Sequence, residues 1–149
     1  MIVYTEKFIQ DSLEPIIAHG CNAQGVMGAG VAEAIKHVWP EAYEVYKNTY
    51  NERGLNLGEV LYVNSRGRII ANCITQRFYG RAAKRYVDYN AMSMCFDNLN
   101  SYMLENDLWS ISMPKIGAGL GGGDWTRIES LIKQYFENKT EVVIYDPRF

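Results

Sequence analysis

Along the chain, short β-branched runs alternate with stretches that repeat apolar residues every three to four positions. "IVYT" at residues 2–5 and "IIAH" at residues 16–19 read as strands. Val31, Ala34, Ile35 and Val38 fall at i, i+3, i+4 and i+7, one face of a helix running from Gly30 to Trp39. Pro40 stops that helix and suits the first turn of the next. The second helix, "EAYEVYKNTYNERG", places Ala42, Val45, Tyr46 and Tyr50 on one side and ends at Gly54.

"GEVLYVNSRGRIIANCIT" reads as two strands around a Ser65-Arg66-Gly67 turn, followed by a loop, "QRFYGRAAKRY". "VDYNAMSMCFDNLNSYMLEND" is the longest helical segment, with Met92, Cys95, Phe96, Leu99 and Met103 as its buried stripe; its tyrosines and methionines read as core. "WSISMP" is a short strand. Asp124 caps a last helix, "WTRIESLIKQYFEN", through its side-chain oxygen, and "EVVIYD" is a closing strand. This order predicts one α/β domain over residues 1–149, a three-layer α/β/α sandwich around a mixed, mostly parallel sheet.

Composition narrows the function classes. With 149 residues, 48% of them hydrophobic, the chain is long enough for a proper core. A formal net charge of −2 gives no sign of general nucleic-acid binding. Cys21, Cys73 and Cys95, with His19 and His37, are too few and too scattered for a disulfide framework or a metal site. No signal-peptide pattern opens the sequence, and no apolar run approaches the roughly 18 residues of a membrane span. A cytoplasmic monomer without membrane attachment, metal or cofactor is expected.

Two glycine-rich hinges stand out, "HGCNAQGVMGAGVAEAI" (residues 19–35) and "MPKIGAGLGGGDW" (residues 113–125), each between a strand and a helix. Open α/β sheets bind ligands at the carboxyl ends of their strands, and both hinges fall there. Free backbone amides beside a helix N-terminus make an anion site, so two hinges can cradle a pyrophosphate without lysine or metal. "GAGLGG" matches G-x-G-x-x-G, yet only one strand follows it, so no dinucleotide-binding unit is completed; no G-K-[ST] is present either.

"IIAHGCNAQGVMGAGVAEAI", the helix opened by Pro40, and "ISMPKIGAGLGGGDW" together resemble a macrodomain over nearly the whole chain. Within that group the chain is most similar to yeast-type ADP-ribose-1″-phosphate phosphatases and their phage-encoded relatives, with terminal ADP-ribose protein glycohydrolases as cousins. The resemblance implies a macrodomain sandwich that binds ADP-ribose or ADP-ribose-1″-phosphate, its diphosphate held between the two loops. It implies that Asn22 reaches the distal ribose. Cys21, Ala23, Gly28, Ala29, Gly30 and Val31 would form the first side of the site. Thr75 and the second loop, Gly117, Ala118, Gly119, Leu120, Gly121, Gly122 and Gly123, would form the other.

Two departures qualify the resemblance. Where many macrodomains place an aspartate for the adenine, this chain offers Glu6 and Asp11 without choosing between them. In the glycohydrolase cousins a lysine follows "IT" and an aspartate sits early in the second loop; here those positions hold Gln76 and Gly121. Glutamine cannot form the covalent sugar adduct an amine forms.

Catalysis is expected from His19, Asn22 and Asp124. His19 reads either as an acid, base or nucleophile at the strand end, or as a packed histidine bonded to a carbonyl. Asp124 reads as a helix cap worth roughly 1 kcal/mol, as a carboxylate orienting water, or as both. Gln24 is a turn residue or a ligand contact. Arg77, Arg81, Lys84 and Arg85, interleaved with Phe78, Tyr79 and Tyr86, form a solvated loop or a cationic lid that sets an arginine on an extra phosphate. The leading function is metal-independent hydrolysis of ADP-ribose-1″-phosphate. The alternatives are removal of ADP-ribose from protein or nucleic acid, and a reader that only binds ADP-ribose.

Overall fold

The computed structural model describes residues 1–147. Six strands, β1 (Ile2–Thr5), β2 (Ile16–Asn22), β3 (Val60–Ser65), β4 (Arg68–Gln76), β5 (Ser110–Pro114) and β6 (Glu141–Tyr145), make one sheet in the order β1-β6-β5-β2-β4-β3. All neighbours are parallel except β3, which pairs antiparallel with β4 at the edge. Four helices cover it: α1 (Gly30–Val38), α2 (Pro40–Arg53), α3 (Tyr89–Glu105) and α4 (Trp125–Tyr135). The mixed sheet between helix layers is the architecture the element order predicts.

Helices on both faces leave neither side of the central strands in water, so β2 is buried almost throughout rather than alternating. Ile17, Ile70 and Val143 pack under α1 and α2 with Ile35, Trp39 and Ala42. Ile16, Ala18, Ala71, Cys73, Ile111 and Met113 meet α3 and α4 on the other face. The α3 stripe of Met92, Cys95, Phe96, Leu99 and Met103 is buried as its spacing predicts. Met94, on the opposite side of α3, is 56% exposed instead of core. Val45 is likewise exposed, because α2 turns only Ala42 and Tyr46 fully inward.

Parallel pairing has a consequence for function. β2, β4, β5 and β6 all run the same way, so their carboxyl ends, and the loops that follow them, gather at one edge of the sheet.

Candidate functional site

A cavity of about 760 Å³ opens at that edge, within the size range of sites for nucleotide-sized ligands. Following the strand order, it runs from Tyr145, Asp146 and Pro147 after β6, past Lys115 and Ile116 after β5, to Thr75 and Gln76 on β4. Tyr79, Gly80 and Arg81 border its mouth at the β4 end. Both glycine hinges line it.

The first hinge turns at Gly25, whose φ is +75° and whose missing side chain leaves room for the Tyr50 ring. It then enters α1 behind Ala29, which has no side chain able to cap the helix. Gly28, Ala29, Gly30, Val31 and Ala32 all line the cavity. The first turn of α1 therefore presents amides and the positive end of the helix dipole to whatever anion enters.

The second hinge divides into two parts. Gly117 (φ +78°), Ala118, Gly119, Leu120 and Gly121 line the cavity. The amides of Gly119, Leu120 and Gly121 have no acceptor among the described residues. Gly122 and Gly123, expected as ligand contacts, lie outside the cavity. Their amides close the loop on the Gly119 and Gly117 carbonyls at 3.1 and 2.8 Å. A Cβ on Gly122 would collide with the Lys84 carbonyl oxygen, and one on Gly123 with Val87. These two glycines seat the loop against the chain at residues 84–87, whose Tyr86 and Val87 amides donate to the Gly121 carbonyl.

Asn22 sits where β2 leaves its register with β4. Its Nδ2 donates to the Val26 carbonyl at 2.8 Å, and its Oδ1 accepts from the Gln24 amide at 2.9 Å. The Tyr46 hydroxyl lies 2.6 Å from the Asn22 carbonyl and 2.9 Å from its Oδ1, and accepts from the Val26 amide at 3.2 Å. Asn22 thus lines the cavity and also ties the first loop together. Tyr46 is a site residue that the helical pattern of α2 conceals: periodicity turns it inward but does not say what its hydroxyl meets 24 residues upstream. Burial pushes its phenol pKa well up, so it stays protonated.

His19 is a different case. It is fully buried on the α2 side of β2 and is not among the residues that line the cavity. Its Nε2 is 2.6 Å from Asn72 Oδ1, and Asn72 Nδ2 donates to the Ala42 carbonyl at 3.0 Å. Burial lowers its pKa to about 4 against the opposing bond from Asn72. The ring is a neutral core group whose partner is a side-chain amide. Depth along the strand sets it apart: Cys21, two residues on and on the same face, lines the cavity, whereas His19 lies further from the carboxyl end of β2.

Asp124 also stands apart from the cavity. Its Oδ1 accepts from the Thr126 amide at 3.0 Å, the cap its position predicts, and its own amide donates to the Tyr89 hydroxyl at 2.9 Å. Ala23 lies beneath the lining, its amide bonded to the Gln76 carbonyl at 2.9 Å. Gln24 likewise serves the loop, its Nε2 donating to the Arg77 carbonyl at 2.9 Å. Cys21 does line the cavity, but burial raises its thiol pKa well above the usual value, so no thiolate forms near neutrality.

Thr75 is completely buried, and its Oγ1 has no hydrogen-bond partner among the described residues. That oxygen stands over Gly20, 3.0 Å from where a Cβ would be, with both residues in the cavity lining. Gln76 Nε2 donates to the Phe78 carbonyl at 2.7 Å, which turns Oε1 toward Gly121. Neither Glu6 nor Asp11 reaches the cavity. The carboxylate that does is Asp146, 3.2 Å from Lys115 Nζ and 31 positions away in the chain. Among the described residues no three metal-ligating side chains cluster, and no helix is long and apolar enough to cross a membrane.

The Macro domain family model matches residues 18–132. A 17.5 kDa protein from the tk-vs intergenic region of Enterobacteria phage T4 is 36% identical over 138 residues, covering 87% of this chain and 84% of its own length. The ADP-ribose 1″-phosphate phosphatase of Scheffersomyces stipitis is 25% identical over 143 residues, covering 80% of this chain and 83% of the yeast protein. The DNA ADP-ribosyl glycohydrolase of Mycobacterium tuberculosis is 26% identical over 155 residues, 99% of this chain but 42% of that protein. Among solved structures, a Bacteroides thetaiotaomicron protein superposes with a TM-score of 0.86 at 30% identity, covering 98% of both chains. The named enzymes are hydrolases acting on ADP-ribose derivatives.

Proposed function

The chain belongs to the Macro domain family, and on that footing we propose that it hydrolyses ADP-ribose-1″-phosphate to ADP-ribose and phosphate. The observation that carries this reading is the β4 end of the cavity. Gln76 stands beside Gly121 where glycohydrolase cousins carry a lysine and an aspartate, and Arg81 borders the same mouth. The arrangement offers no amine for a sugar adduct at that point and an exposed cation for a terminal phosphate.

The binding contribution of each part follows from its chemistry. Amides at the start of α1 and at Gly119, Leu120 and Gly121 take the diphosphate, with no counter-ion needed. Asn22, braced by Tyr46, holds the first loop in the shape that aims those amides. Thr75 Oγ1 gains a partner from the ligand or from water held with it.

His19, Cys21 and Asp124 provide no acid or base at the β4 end, which suits cleavage of a bond whose leaving group needs no proton. The C1″–O bond is such a bond. Water attacks C1″, the C1″–O electron pair departs with the phosphate, and the water proton is taken up by the phosphate oxygens. Arg81 neutralises the departing anion, and Gln76 Oε1 accepts a hydrogen bond from the incoming water. The decisive experiment is release of inorganic phosphate from ADP-ribose-1″-phosphate by the purified protein, with loss of that release in Arg81→Ala and Gln76→Ala. Release no greater than from heat-inactivated protein removes the reading.

A further inference from the structure

The chain that follows β4 folds back on itself at the cavity mouth. The Ala82 amide donates to the Tyr86 hydroxyl at 3.3 Å, and the Lys84 amide donates to the Ala82 carbonyl at 2.8 Å. A Cβ on Gly80 would overlap the same hydroxyl. The Tyr86 and Val87 amides then donate to the Gly121 carbonyl at 2.7 and 3.1 Å. Gly122 packs where a Cβ would collide with the Lys84 carbonyl oxygen and lie 3.0 Å from Arg85 Cα. Residues 80–87 are thereby seated against the outside of the second glycine loop.

Between that segment and the loop lies a second hollow of about 350 Å³, lined by Arg81, Lys84, Arg85, Gly119, Leu120 and Gly122 among others. It meets the cavity at Arg81, Gly119 and Leu120, which line both. Three of its lining residues are cations and none is a carboxylate, in a chain of net charge −2. All three are exposed, and none makes an ion pair among the described residues. Lys84 Nζ lies 4.9 Å from the Tyr86 centroid, and the Arg85 guanidinium 4.6 Å from that of Tyr89. Like charges gathered in one concavity repel each other, and the concave wall focuses their field on an entering anion. The depression beyond Arg85 differs. Arg127, 3.9 Å from the Tyr89 centroid, lines it with Arg85, but so does Asp88. The uncompensated charge is thus concentrated in the hollow beside the cavity.

We propose that this hollow is a phosphate site separate from the cavity, one that holds inorganic phosphate while the cavity is occupied. At neutral pH phosphate carries more than one negative charge and accepts hydrogen bonds on several oxygens, so one anion answers several cations together. A chloride ion or a single carboxylate does not. Arg81 stands on the boundary, so a phosphate set free at the β4 mouth meets this hollow first. That source rests on the hydrolysis proposed above; the site itself does not.

The test follows inorganic phosphate by phosphorus NMR as it is titrated into protein saturated with ADP-ribose. The variant is Lys84→Gln/Arg85→Gln, because both side chains are exposed and neither residue lines the cavity. Wild-type protein is expected to bind phosphate in the presence of ADP-ribose, and the variant to bind it roughly tenfold more weakly. The variant's melting temperature, ADP-ribose affinity and turnover should match wild type. Phosphate binding that ADP-ribose abolishes, or that the variant retains in full, places the anion in the cavity and overturns the inference. So does loss of the binding in chloride at matched ionic strength, which marks a diffuse field instead of a site. Each of these leaves the phosphatase reading standing. Phosphate binding that depends on Lys84 and Arg85, in a protein that does not turn over ADP-ribose-1″-phosphate, removes the phosphatase reading and keeps the site.

Discussion

Gln76 Oε1 lies 3.1 Å from the position a Cβ on Gly121 would take, and the Gly117 carbonyl oxygen lies 2.7 Å from it. A side chain at 121 therefore meets backbone before it meets ligand. Gly121→Ala is expected to cost about 1–3 kcal/mol by forcing the loop outward, and to weaken ADP-ribose binding because the amides of the second loop move with it. Gly119→Ala, with nothing within 4 Å of its Cβ, should unfold at the wild-type temperature. Thermal unfolding and calorimetry of the two variants check this. For the same reason Gln76→Lys/Gly121→Asp should not gain release of ADP-ribose from modified protein, which a gel assay reads.

Tyr46→Phe removes the hydroxyl that joins the Asn22 carbonyl, Asn22 Oδ1 and the Val26 amide. The buried groups left behind predict a loss of about 1–3 kcal/mol in stability. ADP-ribose affinity should drop as well, although Tyr46 is not among the residues that line the cavity. Denaturant unfolding and calorimetry give the two quantities separately; unchanged affinity would contradict the bracing role.

Thr75→Val should move stability and affinity in opposite directions. In the free protein the hydroxyl is buried without a partner among the described residues, so its removal is expected to raise stability by about 1 kcal/mol. In the complex the same change removes a hydrogen bond and should weaken ADP-ribose roughly tenfold. Loss of a merely structural hydroxyl would lower the melting temperature and leave affinity unchanged, which differential scanning and calorimetry distinguish.

His19 governs a pH dependence of folding rather than of turnover. Its folded pKa of about 4 lies below the unfolded value of about 6.5. Between those values the unfolded chain holds more protons, so stability falls as pH drops through this window and is fully present above it. The limiting effect is about 3 kcal/mol. His19→Gln should flatten the difference between unfolding free energies at pH 4.5 and 7 relative to wild type, while phosphate release persists.

Hydrolysis in ¹⁸O-labelled water identifies the bond that breaks. Cleavage of C1″–O leaves the released phosphate unlabelled; attack at phosphorus puts one heavy oxygen into it. Mass spectrometry of the phosphate is expected to show no label, because neither His19 nor Asp124 reaches the cavity to protonate a sugar alkoxide.

Local patterns in the sequence carried most of the architecture. Helical spacing marks the α3 stripe, Pro40 and Gly54 bound α2, Asp124 opens α4, and the strand–glycine–helix order alone brings both hinges to one sheet edge. These are effects of residues within a few positions of each other, where period and turn chemistry are decisive. Tertiary structure decided which of those residues line the cavity. On a strand buried on both sides, hydrophobicity cannot say that Cys21 reaches the cavity while His19, two residues back on the same face, stays in the core. Nor can a run of glycines say that Gly121 ends the cavity wall while Gly122 and Gly123 pack on the chain near Lys84 and Val87. The Tyr46–Asn22 brace, the Lys115–Asp146 pair and the meeting of Arg85 with Arg127 over Tyr89 join residues 24 to 42 positions apart. Such contacts exist only once parallel pairing has stacked β6, β5, β2 and β4 side by side, because it is the sheet, not the local chain, that brings their ends together.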